Sequence, residues 1–246
     1  MKKISKILVT GTAILLAQGA MAEDKNTLLG GTFSASAKFA TDYVFRGESE
    51  VNDGEIPAVQ GSITWSHPSG FYAGYFGSTN KFVTAPEISA VVGPYVGKSG
   101  TFGTSDIGYN VMVFDYQYPG ASQYNYTELY MYLNKQFGNV NLKLEVTPTL
   151  NDWFGWKGHK GIAYAIHPKV NLSDDFTLDG SYGYQHLSGT GAEGWRYWNI
   201  GISKPYLGLT FDLRYHGATV DNSHKVYGAH TNLFKDRVVF AVSKSF

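Results

Sequence analysis

The chain has 246 residues, with 20 basic and 20 acidic side chains, no cysteine, and an unusual load of 29 Gly, 18 Tyr, 15 Phe and 5 Trp. With no basic excess it offers no stripe of Lys and Arg to neutralise phosphates, and with no cysteine it has neither disulfides nor thiolate metal sites, so nucleic acid is not an expected partner. A mean hydropathy slightly below zero beside so many rings fits neither a helical bundle nor a disordered chain.

In chain order, Lys2, Lys3 and Lys6 precede the apolar run 7–17, and Ala20-Met21-Ala22 follows. That is the n-region, h-region and small-x-small site of an export signal, with cleavage expected before Glu23. The run is too short for a membrane helix, which needs roughly twenty apolar residues. Its removal takes three lysines and leaves a small net negative charge. Residues 23–32 are read as a periplasmic segment and 33–246 as one folded unit.

From Phe33 onward, apolar and polar residues alternate in stretches of about ten, the length that a tilted strand needs to cross a bilayer. The strands expected are 33–45, 58–67, 71–79, 87–97, 102–117, 126–135, 140–150, 161–172, 176–185, 196–203, 207–216 and 236–246. Short turns are expected at 67–70, 98–101, 136–139, 173–175 and 204–205. Longer loops are expected around 46–57, 79–86, 118–125, 151–160, 186–196 and 216–235. This alternation of short and long connections describes an all-β, closed antiparallel transmembrane barrel of about twelve strands, with short periplasmic turns and long extracellular loops. An even count lets the first and last strands pair and removes the edges that hydrocarbon would not tolerate. Pro94, Pro148 and Pro168 lack a ladder donor and are expected at bulges or strand ends.

Facing follows from the cost of charge in lipid. Leu142, Leu144 and Val146 face outward against Lys143, Glu145 and Thr147; Leu129, Met131 and Leu133 against Glu128, Tyr130, Tyr132 and Asn134; and Leu209, Phe211 and Leu213 against Asp212 and Arg214. Asp42 and Arg46 share a face on the first strand, toward the long-loop rim. The candidate lumen and selectivity residues are therefore Asp42, Arg46, Glu128, Tyr130, Lys143, Glu145, Asp212 and Arg214, with Lys38 and Asp179 beside them. They form either a charged constriction or an ion-pair network that fills a narrow barrel. Aromatic girdle candidates are Tyr43, Phe45, Trp65, Phe71, Tyr164, Trp195, Tyr197, Trp198 and Tyr215. Trp153, Phe154 and Trp156 suit a cap over the mouth, a ligand contact or the membrane interface. Phe240, Val242 and the terminal Phe246 lie on one face of the last strand, the form of signal that barrel assembly machinery reads.

His159, His186, His216, His224 and His230 gather on or beside long loops without the close spacing of a metal motif. Ser188 near His186 and Ser223 beside His224 lack a third group to orient the histidine. No metal, cofactor or catalytic residue is expected, and the chain is not read as an enzyme.

Several segments resemble the TorF-type porin family (Gcw_chp) of proteobacteria: residues 41–49 (TDYVFRGES), 57–61 (PAVQG), 69–74 (SGFYAG), 126–130 (YTELY), 237–240 (RVVF) and 243–246 (SKSF). Tyr75-Phe76 stands where the family pattern leads one to expect a tryptophan-containing pair. The resemblance implies an outer-membrane barrel with a transport role and carries over no substrate or catalytic residue. From the sequence, the expectation is a channel for small polar solutes in the outer membrane of a Gram-negative bacterium. The alternatives are a non-conducting structural or surface-interaction barrel and, third, a barrel-rim enzyme.

Overall fold

The computed structural model describes residues 28–82, 85–189, 194–220 and 231–246, together with a two-residue antiparallel pairing of Thr10–Gly11 with Ile14–Leu15. The rest of the expected leader, its cleavage site, and Ser223, His224 and His230 lie outside the described residues.

Twelve antiparallel strands close into one barrel, each paired with its neighbours in sequence. They are β1 Thr32–Ala40, β2 Ala58–Ser66, β3 Phe71–Thr79, β4 Ala90–Thr101, β5 Ile107–Tyr116, β6 Tyr126–Phe137, β7 Val140–Pro148, β8 Lys160–Asn171, β9 Thr177–Ser188, β10 Trp195–Tyr206, β11 Leu209–Thr219 and β12 Arg237–Ser245. Closure joins β12 to β1 through Ala241↔Ala40 to Ser245↔Ser36. Phe246 extends this seam by exchanging backbone hydrogen bonds with Ala35 (2.9 and 3.1 Å). The wall thus pairs its strands all the way round without an edge strand, as a sheet in hydrocarbon requires.

The expected alternation holds along the strands. Leu133, Leu144, Ile166, Ile200, Leu213 and Phe240 are exposed on the outside, while Glu128, Lys143 and Glu145 are buried inside. Such a surface is stable only in a bilayer, and it places the chain in the bacterial outer membrane.

Several boundaries differ from expectation, each for a local reason. The expected turn at 98–101 is strand, and the chain reverses at 102–106 instead. Lys204-Pro205 also remains in β10, paired with Phe211 and Thr210, and the turn falls on Leu207-Gly208 with φ of 52° and 77°. Both residues with φ > 0 mark the tight hairpin turn that matches strand twist. Pro148 ends β7 as expected. Pro94 and Pro168 instead sit inside β4 and β8 with no change of register. Pro94 pairs with Tyr75 on one side and Pro168 with Leu142, while their rungs on the other side are skipped. A proline lacks one donor, so it interrupts one ladder rather than bending the strand.

The largest departure is at the first strand, which stops at Ala40 instead of 45. Residues 41–57 turn into the barrel and fold there as a small hairpin, Val44–Phe45 against Glu48–Ser49. The alternation of Thr41, Tyr43 and Phe45 signals extended backbone but does not tell a wall strand from one packed inside the wall.

Candidate functional site: the inward hairpin and the charged lumen

Arg46 and Gly47 form the tip of the inner hairpin, with φ of 48° and 84°. This is a two-residue turn that needs left-handed backbone at both positions. Gly47 is required for a second reason: a Cβ there would lie 2.9 Å from the Cβ atoms of both Ala218 and Tyr197. Gly47→Val is therefore expected to weaken docking of the hairpin by about 1–3 kcal/mol, measured as a lowered unfolding midpoint in tryptophan fluorescence.

The tip carries Arg46 to the far wall. Its guanidinium bonds both carboxylate oxygens of Glu128 on β6 (2.7 and 3.0 Å) and the amide oxygen of Gln185 on β9 (2.9 Å). Glu145 on β7 is 3.9 Å away. Glu145 in turn accepts from Thr147 (2.9 Å) and sits 2.8 Å from Nε2 of His167. The indole of Trp195 donates to the Arg46 carbonyl (2.8 Å), and the Phe45 ring lies under the guanidinium at 4.6 Å. Glu128 is fully buried, so this fork holds two charges away from water, where each depends on the other.

A second set of contacts anchors the hairpin base. Asp42 accepts from Arg237 on β12 (2.6 Å) and from Ser49 (2.8 Å), and Glu50 accepts from Asn80 (2.9 Å). Burial pushes the Glu50 carboxyl up to about 8, reinforced by Asp42 and opposed by the Asn80 hydrogen bond and Arg46. The docked hairpin thus holds a proton that an undocked Glu50, near its ordinary value of 4.5, releases. Docking is strongest below the undocked value and weakens as pH rises toward 8. Tryptophan quenching by acrylamide is expected to increase over that range in the wild type, with Glu50→Gln flattening the profile.

Toward the short-turn end lies a second charged cluster, more exposed than the first. Arg214 on β11 bonds Asp179 (2.9 Å), Asp212 (2.9 and 3.2 Å) and Asn199 (2.7 Å). The Asp179 and Asp212 side chains keep 27% and 23% exposure, against 0% for Glu128. The Arg214 cluster is therefore partly exposed to water, whereas the Arg46–Glu128 fork is sealed from it.

The structure brings Arg46, Glu128 and Glu145 into one network, with Tyr130 beside it, 5.8 Å from the Arg46 guanidinium and hydroxyl-bonded to Tyr116. Lys143 is inward and 4.7 Å from the Tyr132 ring. Asp212 and Arg214 belong to the separate lower set. Asp42 does not join Arg46 at a strand rim; inside the barrel, it pairs with Arg237. Tyr43, Phe45, Trp195 and Tyr197 are likewise not on the outer surface. Tyr43 and Phe45 travel inward with the hairpin, and Trp195 and Tyr197 occupy the inward-facing positions of β10. Trp65, Phe71, Tyr164, Trp198 and Tyr215 do lie on outward faces, as do Phe240, Val242 and Phe246. Trp153 packs against Trp195, and Phe154 against Phe82, Tyr118 and Tyr124, so this loop caps the mouth.

Gln185, His167, Arg237, Glu50 and Asn80 escaped sequence reasoning. Gln185 meets Arg46 across 139 positions, a pairing with no local signature. His167 was discoverable, since it alternates in phase with the inward Ala163 and Ala165 of β8. Ser188 bonds the Lys160 backbone (3.3 Å), while His186 lies on the outside beside Tyr184, so these two make no Ser/His pair. Among the described residues there is no group of three metal-ligating side chains.

A closed barrel with a lipid-facing exterior and an ionisable interior is an outer-membrane protein of porin-like architecture. The chain belongs to the Gcw_chp family, described as a bacterial protein of unknown function, whose model matches residues 25–246. Among solved structures, the fold is similar to the KdgM porin in complex with disordered oligogalacturonate. The TM-score is 0.56 at 11% identity, covering 87% of this chain and 99% of that one. It is similar also to the NanC porin, with a TM-score of 0.56 at 10% identity, covering 86% and 98%. No curated protein matches the sequence.

Proposed function

We propose that this protein is an outer-membrane channel for small polar solutes, constricted on its extracellular side by the hairpin 41–57. The observation that carries the reading is the lumen itself. It is polar and ionisable, carries a partly exposed charged cluster toward the short-turn end, and is crossed on the long-loop side by one inward segment. The two similar solved structures are both porins by their descriptions. In this reading Arg46, Glu128, Glu145, Tyr130 and Lys143 set which solutes pass the constriction, and Asp212 with Arg214 lines the lumen beneath it. Trp65 and Phe71 near the short turns, with Tyr164, Trp198 and Tyr215 near the long loops, serve as interfacial girdles. Phe240, Val242 and Phe246 present the outward face read by the assembly machinery, after export by the leader 1–22. Neither a cofactor nor a catalytic residue is needed.

A second reading, a non-conducting barrel that acts through its loops, is favoured by one specific observation: the ion pairs of Arg46 bridge the hairpin to the opposite wall. Single-channel recording separates the two. Steady conductance steps from protein whose folding is verified by a heat-shift gel, with ion selectivity altered by Arg46→Ala, support the channel. Silence from the same folded protein supports the second reading.

A further inference from the structure

Above Arg46 the mouth holds a narrow, partly open recess lined by the hairpin, the neighbouring loops and the upper ends of β6, β9 and β10. Three of its rings are mutually near-perpendicular. Phe82, Tyr118 and Phe154 meet pairwise at 6.5, 5.6 and 5.3 Å between centroids, with interplanar angles of 71°, 63° and 84°. Trp153 and Trp195 continue the wall, also edge to face. The lining includes two buried acids, Glu48 and Glu50, together with Gln185 and the tyrosines Tyr118 and Tyr126. Among the described lining residues Arg46 is the one basic side chain, and its guanidinium is engaged by Glu128 and by Gln185, which also lines the recess. Behind Glu50, the buried Oδ1 of Asn80 is a further acceptor, with no hydrogen-bond partner among the described residues.

From this geometry we infer that the mouth recess is a binding site for a small organic cation of the alkylammonium type. Aromatic rings lining one recess attract a bound cation electrostatically wherever they present a face to it, and repel an anion. Glu48 and Glu50 add negative charge on the hairpin side. A buried carboxyl that keeps its proton to about pH 8 lacks a counter-ion, and a bound ammonium supplies one. Glu50 faces Asp42, Arg46, Asn80, Tyr43 and Tyr118. The charged neighbours Asp42 and Arg46 are paired to Arg237 and Glu128, so neither competes for the ligand. The site does not require the barrel to conduct, because binding is read on the closed mouth.

The test titrates the folded full-length barrel in detergent with choline chloride, and with 3,3-dimethylbutan-1-ol as its neutral isostere, following tryptophan fluorescence at pH 6 and pH 9. The expected result is choline binding about ten-fold tighter than the isostere, stronger at pH 9 than at pH 6. It should weaken about ten-fold in Glu48→Gln/Glu50→Gln and be weakened independently by Phe82→Leu, which leaves every charge in place. Equal affinity for the isostere, preference for glucose or acetate over choline, absence of choline binding to folded wild type, or full affinity in both variants would overturn the assignment. Conductance plays no part in this readout, so a silent barrel that binds choline rejects the channel and keeps the site.

Discussion

Replacing Arg46 with alanine is expected to cost about 3–5 kcal/mol, because it strands the Glu128 carboxylate in a part of the lumen from which water is excluded. Glu128 is fully buried, and both of its oxygens are spent on this one guanidinium. The loss should appear in denaturant unfolding followed by tryptophan emission, since Trp195 donates to the Arg46 carbonyl and Trp153 packs on Trp195. Arg46→Lys should fall between, because a lysine keeps the charge and loses the two-pronged geometry. Adding Glu128→Gln to the alanine variant should recover much of the stability by removing the orphaned charge. An alanine variant as stable as wild type would mean that water reaches Glu128 and that the hairpin is not docked as described.

Leu144→Arg is expected to destabilise the folded barrel in lipid by about 2–4 kcal/mol, the cost of a cation near the bilayer midplane. Leu144 is outward and 47% exposed, between Leu133 and Ile166 on the neighbouring strands. Lys143, one residue away, is inward and buried. The same charge is therefore accommodated at 143 and resisted at 144, since the pleat turns adjacent residues to opposite solvents. Equilibrium unfolding in vesicles reads the difference directly. A null effect at 144 would mean that the β7 faces are reversed.

What was legible in the sequence is what repeats. The two-residue alternation, read against the cost of charge in hydrocarbon, gave the inward set of β6, β7 and β11 residue by residue. The alternation of short and long connections gave twelve strands. What stayed hidden depends on contacts between distant segments. Residues 41–45 alternate as a wall strand would, and only the left-handed pair Arg46-Gly47, together with the space left by Ala218 and Tyr197, makes them an inner hairpin. The girdle assignment failed for Tyr43, Phe45, Trp195 and Tyr197 for a related reason. A barrel with an inner plug has a second apolar surface, inside, and rings serve it as well as they serve the membrane interface. The Arg237–Asp42 pair joins the two ends of the chain across 195 positions, beyond any local pattern.

The most direct test of the constriction replaces residues 43–50 with a short glycine–serine link and compares single-channel conductance with wild type in the same planar bilayer. If the hairpin narrows the lumen, the variant, folded by heat-shift gel, should conduct several-fold more and lose the selectivity that depends on Arg46. Unchanged conductance in the folded variant would contradict the account and place the barrier to solutes elsewhere in the barrel.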